Sequence, residues 1–261
     1  MTAALYVPHD DLFEPTELVK SPWSPEMSHG GPPAALLVRA IENVEPIELD
    51  IARVTVEMLA PIPMRPLTTS TTVLRPGKRI QLVAAELSDS DGVVFLRATA
   101  WKVRRRDTLA VGAMAPPEQP PPPESCPNET WQIAPYKNFY SDAQERRSIF
   151  GSIAEIGAAA AWFRLVVPVV AGEQPSPVQR LVTAADSANG HSRMAEFDDL
   201  LFINTDLTLH LARAPIGEWF ALDSRSHYDA SGRGLSDTTV FDLTGFLGRS
   251  NQSLFLDERS S

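Results

Sequence analysis

A single cysteine, Cys126, stands in a chain of 261 residues. One thiol cannot close an intramolecular disulfide, which excludes a secreted disulfide scaffold. Cys126 lies in a Pro-rich stretch with no base in view beside it and reads as incidental rather than nucleophilic. Positive charge is also scarce: 23 Lys and Arg against 33 Asp and Glu leave a formal net charge of −10. Such an acidic surface argues against nucleic acid or an anionic membrane as the main partner. The N-terminal MTAALYVPHDDLFEP has neither a basic nor an apolar signal region. The longest apolar candidate, around residues 156–171, is interrupted by Arg164 and Pro168, short of the ~20 residues a membrane-spanning helix needs. A cytoplasmic protein is expected. His, Cys and carboxylates show no metal-ligand spacing, and no Walker or dinucleotide glycine pattern occurs, so neither metal nor cofactor is expected.

What is present suits a globular protein: 43% hydrophobic and 21% charged residues. Residues 107–130, DTLAVGAMAPPEQPPPPESCPNET, contain Pro-Pro runs that suit neither helix nor central strand. They read as a linker between an N-terminal unit, 1–106, and a C-terminal unit, 131–261. The two units repeat each other. VTVEMLAPIPMRPL (54–67) matches LTLHLARAPIGEWF (207–220) at an offset of 153 residues. Both alternate as half-buried strands do, then meet a proline and restart. At the same offset Asp91-Gly92 matches Thr244-Gly245, and the strand at 93–103 matches that at 246–256; Gly77 and Gly232 mark nearly matching turns.

Each unit also opens with one helix. In GGPPAALLVRAIENV (30–44), Pro32 and Pro33 sit at the start, and Leu36, Leu37, Ala40, Ile41 and Val44 form the apolar stripe. In PSPVQRLVTAADSANG (175–190), Pro177 begins the helix, Val178, Leu181, Val182 and Ala185 form its stripe, and Gly190 is the expected stop. A strand precedes this helix at about 158–171; its counterpart in the first unit is weaker, near 11–20. The fold class is therefore α+β. Each unit is an antiparallel sheet wrapped around a central helix, the hot-dog architecture, and two such units can join their sheets edge to edge. A basic cluster, Arg97, Lys102, Arg104, Arg105 and Arg106, is either a solvated strand end or a local pocket for a phosphorylated ligand.

The chain resembles the TesB-like acyl-CoA thioesterases, a double hot-dog family, in its actinobacterial branch. The residues that carry the resemblance are SHGGPPAALLVRAIE (28–42), ADSANG (185–190), FINTDLTLHLARAPIGEW (202–219) and GRSNQSL (248–254). It covers nearly the whole chain outside the linker, and the order and spacing of these short motifs carry it. The resemblance implies hydrolysis of acyl-CoA, with the active site in the second unit. There an Asp on the central helix, a Thr on a following strand and a Gln on a late strand hold the hydrolytic water. These positions fall on Asp186, Asn204 and Gln252, so Asn replaces the family's Thr. Thr205 is one residue away, but alternation puts it on the face of Leu207 and Leu209, expected to be buried.

The chemistry suits these residues. Hydrolysis needs an aligned water, a proton acceptor and an oxyanion site. The leaving thiolate, with a pKa near the ~8.5 of a free Cys, needs little help from an acid. Asp186 would accept the proton or orient the water, Asn204 and Gln252 would partner it, and backbone N–H groups such as those at Gly30-Gly31 would face the oxyanion. Against this, Asp186 reads equally as a solvent-facing helix residue, and Gln252 as polar strand surface. Gln252 has Thr99 as its repeat mate, so only one unit need be catalytic. His29, with Gly30 and Gly31, belongs either to the mouth of a substrate channel or merely to the helix start. His191 stands five residues after Asp186, as in hot-dog hydratases, but the intervening SANG lacks their Asn-Pro. The other readings are a non-catalytic acyl-CoA or lipid-binding protein and, less favoured, a hydratase. Free strand edges point to a homo-oligomer.

Overall fold

The structure, a computed structural model, describes residues 3–106, 115–130 and 132–259. The first part of the expected linker, 107–114, lies outside the described residues. A small two-stranded sheet, β1 (Tyr6–His9) and β2 (Leu12–Pro15), precedes α1 (Gly31–Glu42), β3 (Leu49–Met58), β4 (Thr68–Arg75), β5 (Ile80–Ser88) and β6 (Val94–Arg104). The second unit contains α2 (Phe139–Asp142), β7 (Gln144–Phe150), β8 (Ala159–Leu165), α3 (Pro177–Ala185), α4 (Ala188–His191), β9 (Leu200–Asn204), β10 (Asp206–Leu211), β11 (Trp219–Asp229), β12 (Arg233–Asp242) and β13 (Gly245–Glu258).

One 11-stranded sheet runs β4-β5-β6-β3-β10-β13-β12-β11-β8-β7, with β9 also on β13. The units meet at β3 and β10, and the register there reports the repeat directly. Thr55 lies opposite Thr208, its mate at the 153-residue offset, and the Thr208 hydroxyl donates to that of Thr55 at 3.2 Å. On either side Glu57 faces Asp206 and Arg53 faces His210. Residue i thus meets the mate of j while j meets the mate of i, as across a two-fold axis. β9 and β10 together correspond to β3, bent at Thr205. That bend overturns the expectation for Thr205: alternation lapses there, and the residue is exposed rather than facing the core.

Both central helices are explained by their ends and stripes. Pro32 and Pro33 occupy the first turn of α1, where a missing N–H is harmless. Ser176 caps α3 by accepting the Gln179 N–H at 3.1 Å. Leu36, Leu37, Val38 and Ile41 of α1, and Leu181, Val182 and Ala185 of α3, are buried in one continuous core with Val54, Val56, Val83, Leu207, Leu209 and Leu222. Burial of each large aliphatic side chain contributes about 1.5–3 kcal/mol. α3 stops sooner than expected. It ends at Ala185 with Asp186 as C-cap, and the Ser187 N–H turns back to Ala184 O at 2.9 Å. Gly190 falls inside the short α4 rather than ending a helix. β7 was not apparent from sequence, and the weak counterpart near 11–20 resolves into β2 with its partner β1.

The structure gives two features of composition their places. Much of the second part of the Pro-rich stretch lies on the outer face of the second unit: Trp162 Nε1 donates to Pro121 O at 2.8 Å, and Cys126 is buried with Trp162, Ala221 and Phe241. The basic cluster is divided among several partners. Arg97 pairs with Glu86 and Arg105 with Asp50, each at 2.7 Å, while Lys102 is buried and donates to the α1 carbonyl Ile41 O at 3.3 Å and to Val44 O at 2.5 Å. No helix among the described residues is long and apolar enough to cross a membrane.

Candidate active site

The start of α1 and the end of α3 pack against each other, and glycine makes the approach possible. A Cβ on Gly31 would lie 2.8 Å from Thr183 O, and one on Gly30 would lie 2.9 Å from Asp186 Oδ2. Asp186, at the C-cap of α3, is thereby delivered to the first turn of α1. Its side chain is 4% exposed.

Three donors converge on the Asp186 carboxylate. His29 Nδ1 lies 2.7 Å from Oδ2. Asn204, the last residue of β9, donates from Nδ2 to Oδ1 at 2.9 Å. The Gly31 N–H bonds to the carboxylate as well. Gly31 N also lies 3.3 Å from His29 Nδ1. Nδ1 cannot both donate to a carboxylate and accept from an amide, and the short charge-assisted contact decides in favour of donation. Burial alone would raise the Asp186 pKa; His29, Asn204 and Gly31 outweigh it and hold the carboxyl below its ordinary 3.8. His29 comes from the first unit and Asp186 and Asn204 from the second, so the cluster exists only because the two units pack together.

Gln252, on β13, is fully buried and reaches the same turn from below. Its Oε1 accepts the Asn189 N–H at 3.2 Å and its Nε2 donates to the backbone carbonyl of Asp186 at 3.4 Å. It therefore meets the main chain that carries Asp186, with both ends of its amide occupied. Asn189 is held in turn: Tyr228 Oη and Ser226 Oγ donate to its Oδ1 at 2.9 and 3.2 Å. His191 takes no part. It is completely buried, its ring stands edge-on to Phe163, and its nearest charge is Glu129 at 3.9 Å. Desolvation lowers its pKa well below the ordinary range.

Several aromatic residues of this region were not singled out by sequence patterning. Phe139 of α2 lies 5.0 Å from the His29 ring. An aromatic group of Trp23, Phe197, Phe202 and Tyr228 joins the two units, with successive ring centroids 4.8, 5.6 and 6.0 Å apart. Phe202 shares the face of β9 that carries Asn204. These aromatics come from four separate segments and have no common spacing; the only signal in sequence was Phe202, two residues before Asn204. Among the described residues no group of three or more His, Cys, Asp or Glu is placed to hold a metal.

The acyl-CoA thioesterase N-terminal domain matches residues 19–103, and the acyl-CoA thioesterase C-terminal domain matches residues 117–256. The chain belongs to the acyl-CoA thioesterase family. It is a thioester hydrolase, built as a tandem hot-dog. Solved structures agree on the fold. A hot-dog protein of unknown function from Alicyclobacillus acidocaldarius is 17% identical, with 96% of this chain and 95% of that one covered and a TM-score of 0.74. An acyl-CoA thioesterase II, TesB2, from Mycobacterium marinum is 17% identical over 100% of this chain and 96% of its own, with a TM-score of 0.67. The TesB protein of Mycobacterium avium subs paratuberculosis is 16% identical over 94% and 93%, at 0.68. At these identities the likeness concerns the fold alone. No curated protein matches the chain.

Proposed function

We propose that this thioester hydrolase cleaves fatty acyl-CoA to free fatty acid and CoA, with a water molecule activated at the Asp186 cluster. The observation that carries this reading is the buried carboxylate itself, kept ionised where the two central helices meet and where both units contribute donors. Asn204 fixes one carboxylate oxygen, and Gln252 fixes the backbone turn from which Asp186 projects. The Gly30 N–H, without a hydrogen-bond partner among the described residues, faces the oxyanion from the positive end of α1. His29, Gly30 and Gly31 contact substrate, and the aromatic group around Phe202 lines its approach. In this reading 1–106 and 131–261 are the two hot-dog units, 107–130 connects them, and the protein works in the cytoplasm as a homo-oligomer through its free strand edges.

One observation favours the non-catalytic reading. The donors on Asp186 leave it little capacity for a water, as in a purely structural carboxylate. Thiol release from short, medium and long acyl-CoAs separates the two. Turnover by wild type, with a loss of about 10²–10⁴-fold in folded Asp186→Ala, supports hydrolysis at this cluster. Saturable acyl-CoA binding without thiol release from any chain length would support the binding protein instead.

A further inference from the structure

The thioesterase reading leaves open which atom takes the proton from water, and the geometry answers against Asp186. One of its oxygens is bonded to His29 Nδ1 and the other to Asn204 Nδ2, with the Gly31 N–H as a third donor. Each donor stabilises the ionised form, and a carboxylate so stabilised is a poor proton acceptor. It is also the less accessible of the pair, 4% exposed against 12% for the His29 side chain.

His29 is held as a base would need to be. Its N–H donates to Val19 O at 2.8 Å and its carbonyl accepts from Ser28 Oγ at 2.9 Å, so the backbone is fixed. Phe139 covers the ring at 5.0 Å. With Nδ1 donating to Asp186, the neutral ring carries its lone pair on Nε2. Nε2 has no hydrogen-bond partner among the described residues and is not fully buried. Asp186 is the charged group in contact with the ring; Phe139 and the Gly31 N–H are its neutral neighbours.

We infer that His29 Nε2 is the general base of the thioesterase reaction and that Asp186, in contact with the ring rather than the water, is its positioning residue. The proton of the attacking water passes to Nε2 as the water oxygen bonds to the thioester carbonyl carbon. The tetrahedral oxyanion then re-forms its C=O bond and the C–S bond breaks. The departing thiolate takes the proton back from His29, leaving free CoA thiol and a carboxylic acid that ionises in solvent. Base and orienter come from different units, so neither unit has the pair by itself.

The inference rests on the thioesterase reading, and its test separates the two. Thiol release is measured for wild type, His29→Gln and His29→Ala, with folding checked by circular dichroism. Gln can still donate to Asp186 from its amide nitrogen but cannot accept a proton. A His29 that only positions Asp186 would therefore tolerate Gln. The expected result is a fall of about 10²–10⁴-fold in kcat for His29→Gln with KM within about threefold, and partial recovery of His29→Ala by added imidazole. His29→Asn takes the place of the Gln variant if that variant does not fold. An active wild type whose Gln variant keeps its kcat, or whose Ala variant is indifferent to imidazole, overturns this inference alone. A wild type that releases no thiol overturns both.

Discussion

The two central helices meet at two ends, and each end sets a carboxylate against a helix start. At one end Asp186 of α3 faces the start of α1; at the other Glu42 of α1 faces the start of α3. Glu42 accepts from Ser176 Oγ at 2.7 and 2.9 Å and from Gln179 Nε2 at 2.8 Å, and nearby Arg39 is tied to Glu173 at 2.6 Å. The two acids respond in opposite ways. Burial raises the pKa of Glu42, because a hydroxyl and an amide do not offset the loss of solvent and Lys102 acts only at longer range. Asp186 is also buried, yet the imidazole in contact with it turns the balance and lowers its pKa. What distinguishes the ends is therefore the group across from each carboxylate. The repeat mates of Asn204 and Gln252 are Ile51 and Thr99, so the Glu42 end lacks counterparts of the other candidate residues too.

The features that fix the fold follow the opposite pattern and occur in both units. Asp89 and Asp242, 153 residues apart, sit at the ends of β5 and β12. Asp89 accepts the N–H groups of Asp91 and Val93, both at 3.0 Å, and binds Arg65. Asp242 accepts the Thr244 N–H at 2.8 Å and hydroxyl at 2.6 Å, the Ile216 N–H at 3.1 Å, and a two-pronged contact from Arg213 at 2.6 and 2.7 Å. Asp89 pins the loop after β3, and Asp242 the loop after β10, to a hairpin turn. Asp242→Ala, which strips a fully buried acid from Arg213, is expected to lower unfolding stability by about 3–5 kcal/mol. Asp89→Ala is expected to lower it by less, since the Arg65 side chain is 48% exposed against 32% for Arg213. Urea midpoints give the stabilities, and thiol release per folded molecule should stay unchanged. A drop in activity at full stability would break the division between duplicated pins and a single site.

The glycine pair sharpens the contrast between the ends, because α3 has Ser176-Pro177 as its cap and first residue where α1 has Gly30-Gly31. In Gly31→Ala the new methyl meets backbone, with Thr183 O at 2.8 Å and Thr183 Cα at 3.1 Å. The helices must part, which costs about 1–3 kcal/mol and lowers activity as well. In Gly30→Ala the methyl meets the carboxylate oxygens at 2.9 and 3.0 Å. A side chain yields more easily than backbone, so stability should hold within about 1 kcal/mol while thiol release falls. Equal losses of stability in the two variants would show that the Asp186 carboxylate is itself part of the packing.

Much of this was legible in the sequence, for identifiable reasons. The repeat was readable because alternation, a proline break and a turn recur in one frame, and Thr55 opposite Thr208 shows that frame in three dimensions. Asp186 and Asn204 were named as candidates through motif resemblance, and the structure brings their side chains together. The resemblance did not indicate that Asn204 would bond the carboxylate directly, or that Gln252 would spend its amide on backbone. The contact of His29 with Asp186 was invisible, since it joins residues 157 positions apart through helix packing that no periodicity encodes. The bend at Thr205 was missed because alternation assumes an unbroken strand. β7 was missed because QERRSIF has too few apolar positions to declare itself.

The smallest effect expected is also the most direct test of the difference between the ends, because it reads the sign of each carboxylate's contribution. Asp186 has a folded pKa below its ordinary 3.8, so its ionised form stabilises the protein above that value, and the stabilisation is lost as pH falls below it. Glu42 has a folded pKa above its ordinary 4.5, so its contribution is present below 4.5 and is lost as pH rises through the folded value. Urea titrations of wild type, Asp186→Asn and Glu42→Gln between about pH 3 and 6 should therefore give stability differences that change in opposite directions with pH. The advantage of wild type over Asp186→Asn should shrink toward acid, and its advantage over Glu42→Gln should shrink toward neutrality. Parallel slopes would mean that the His29 contact does not compensate the burial of Asp186. The two helix ends would then be electrostatically alike, whatever their difference in activity.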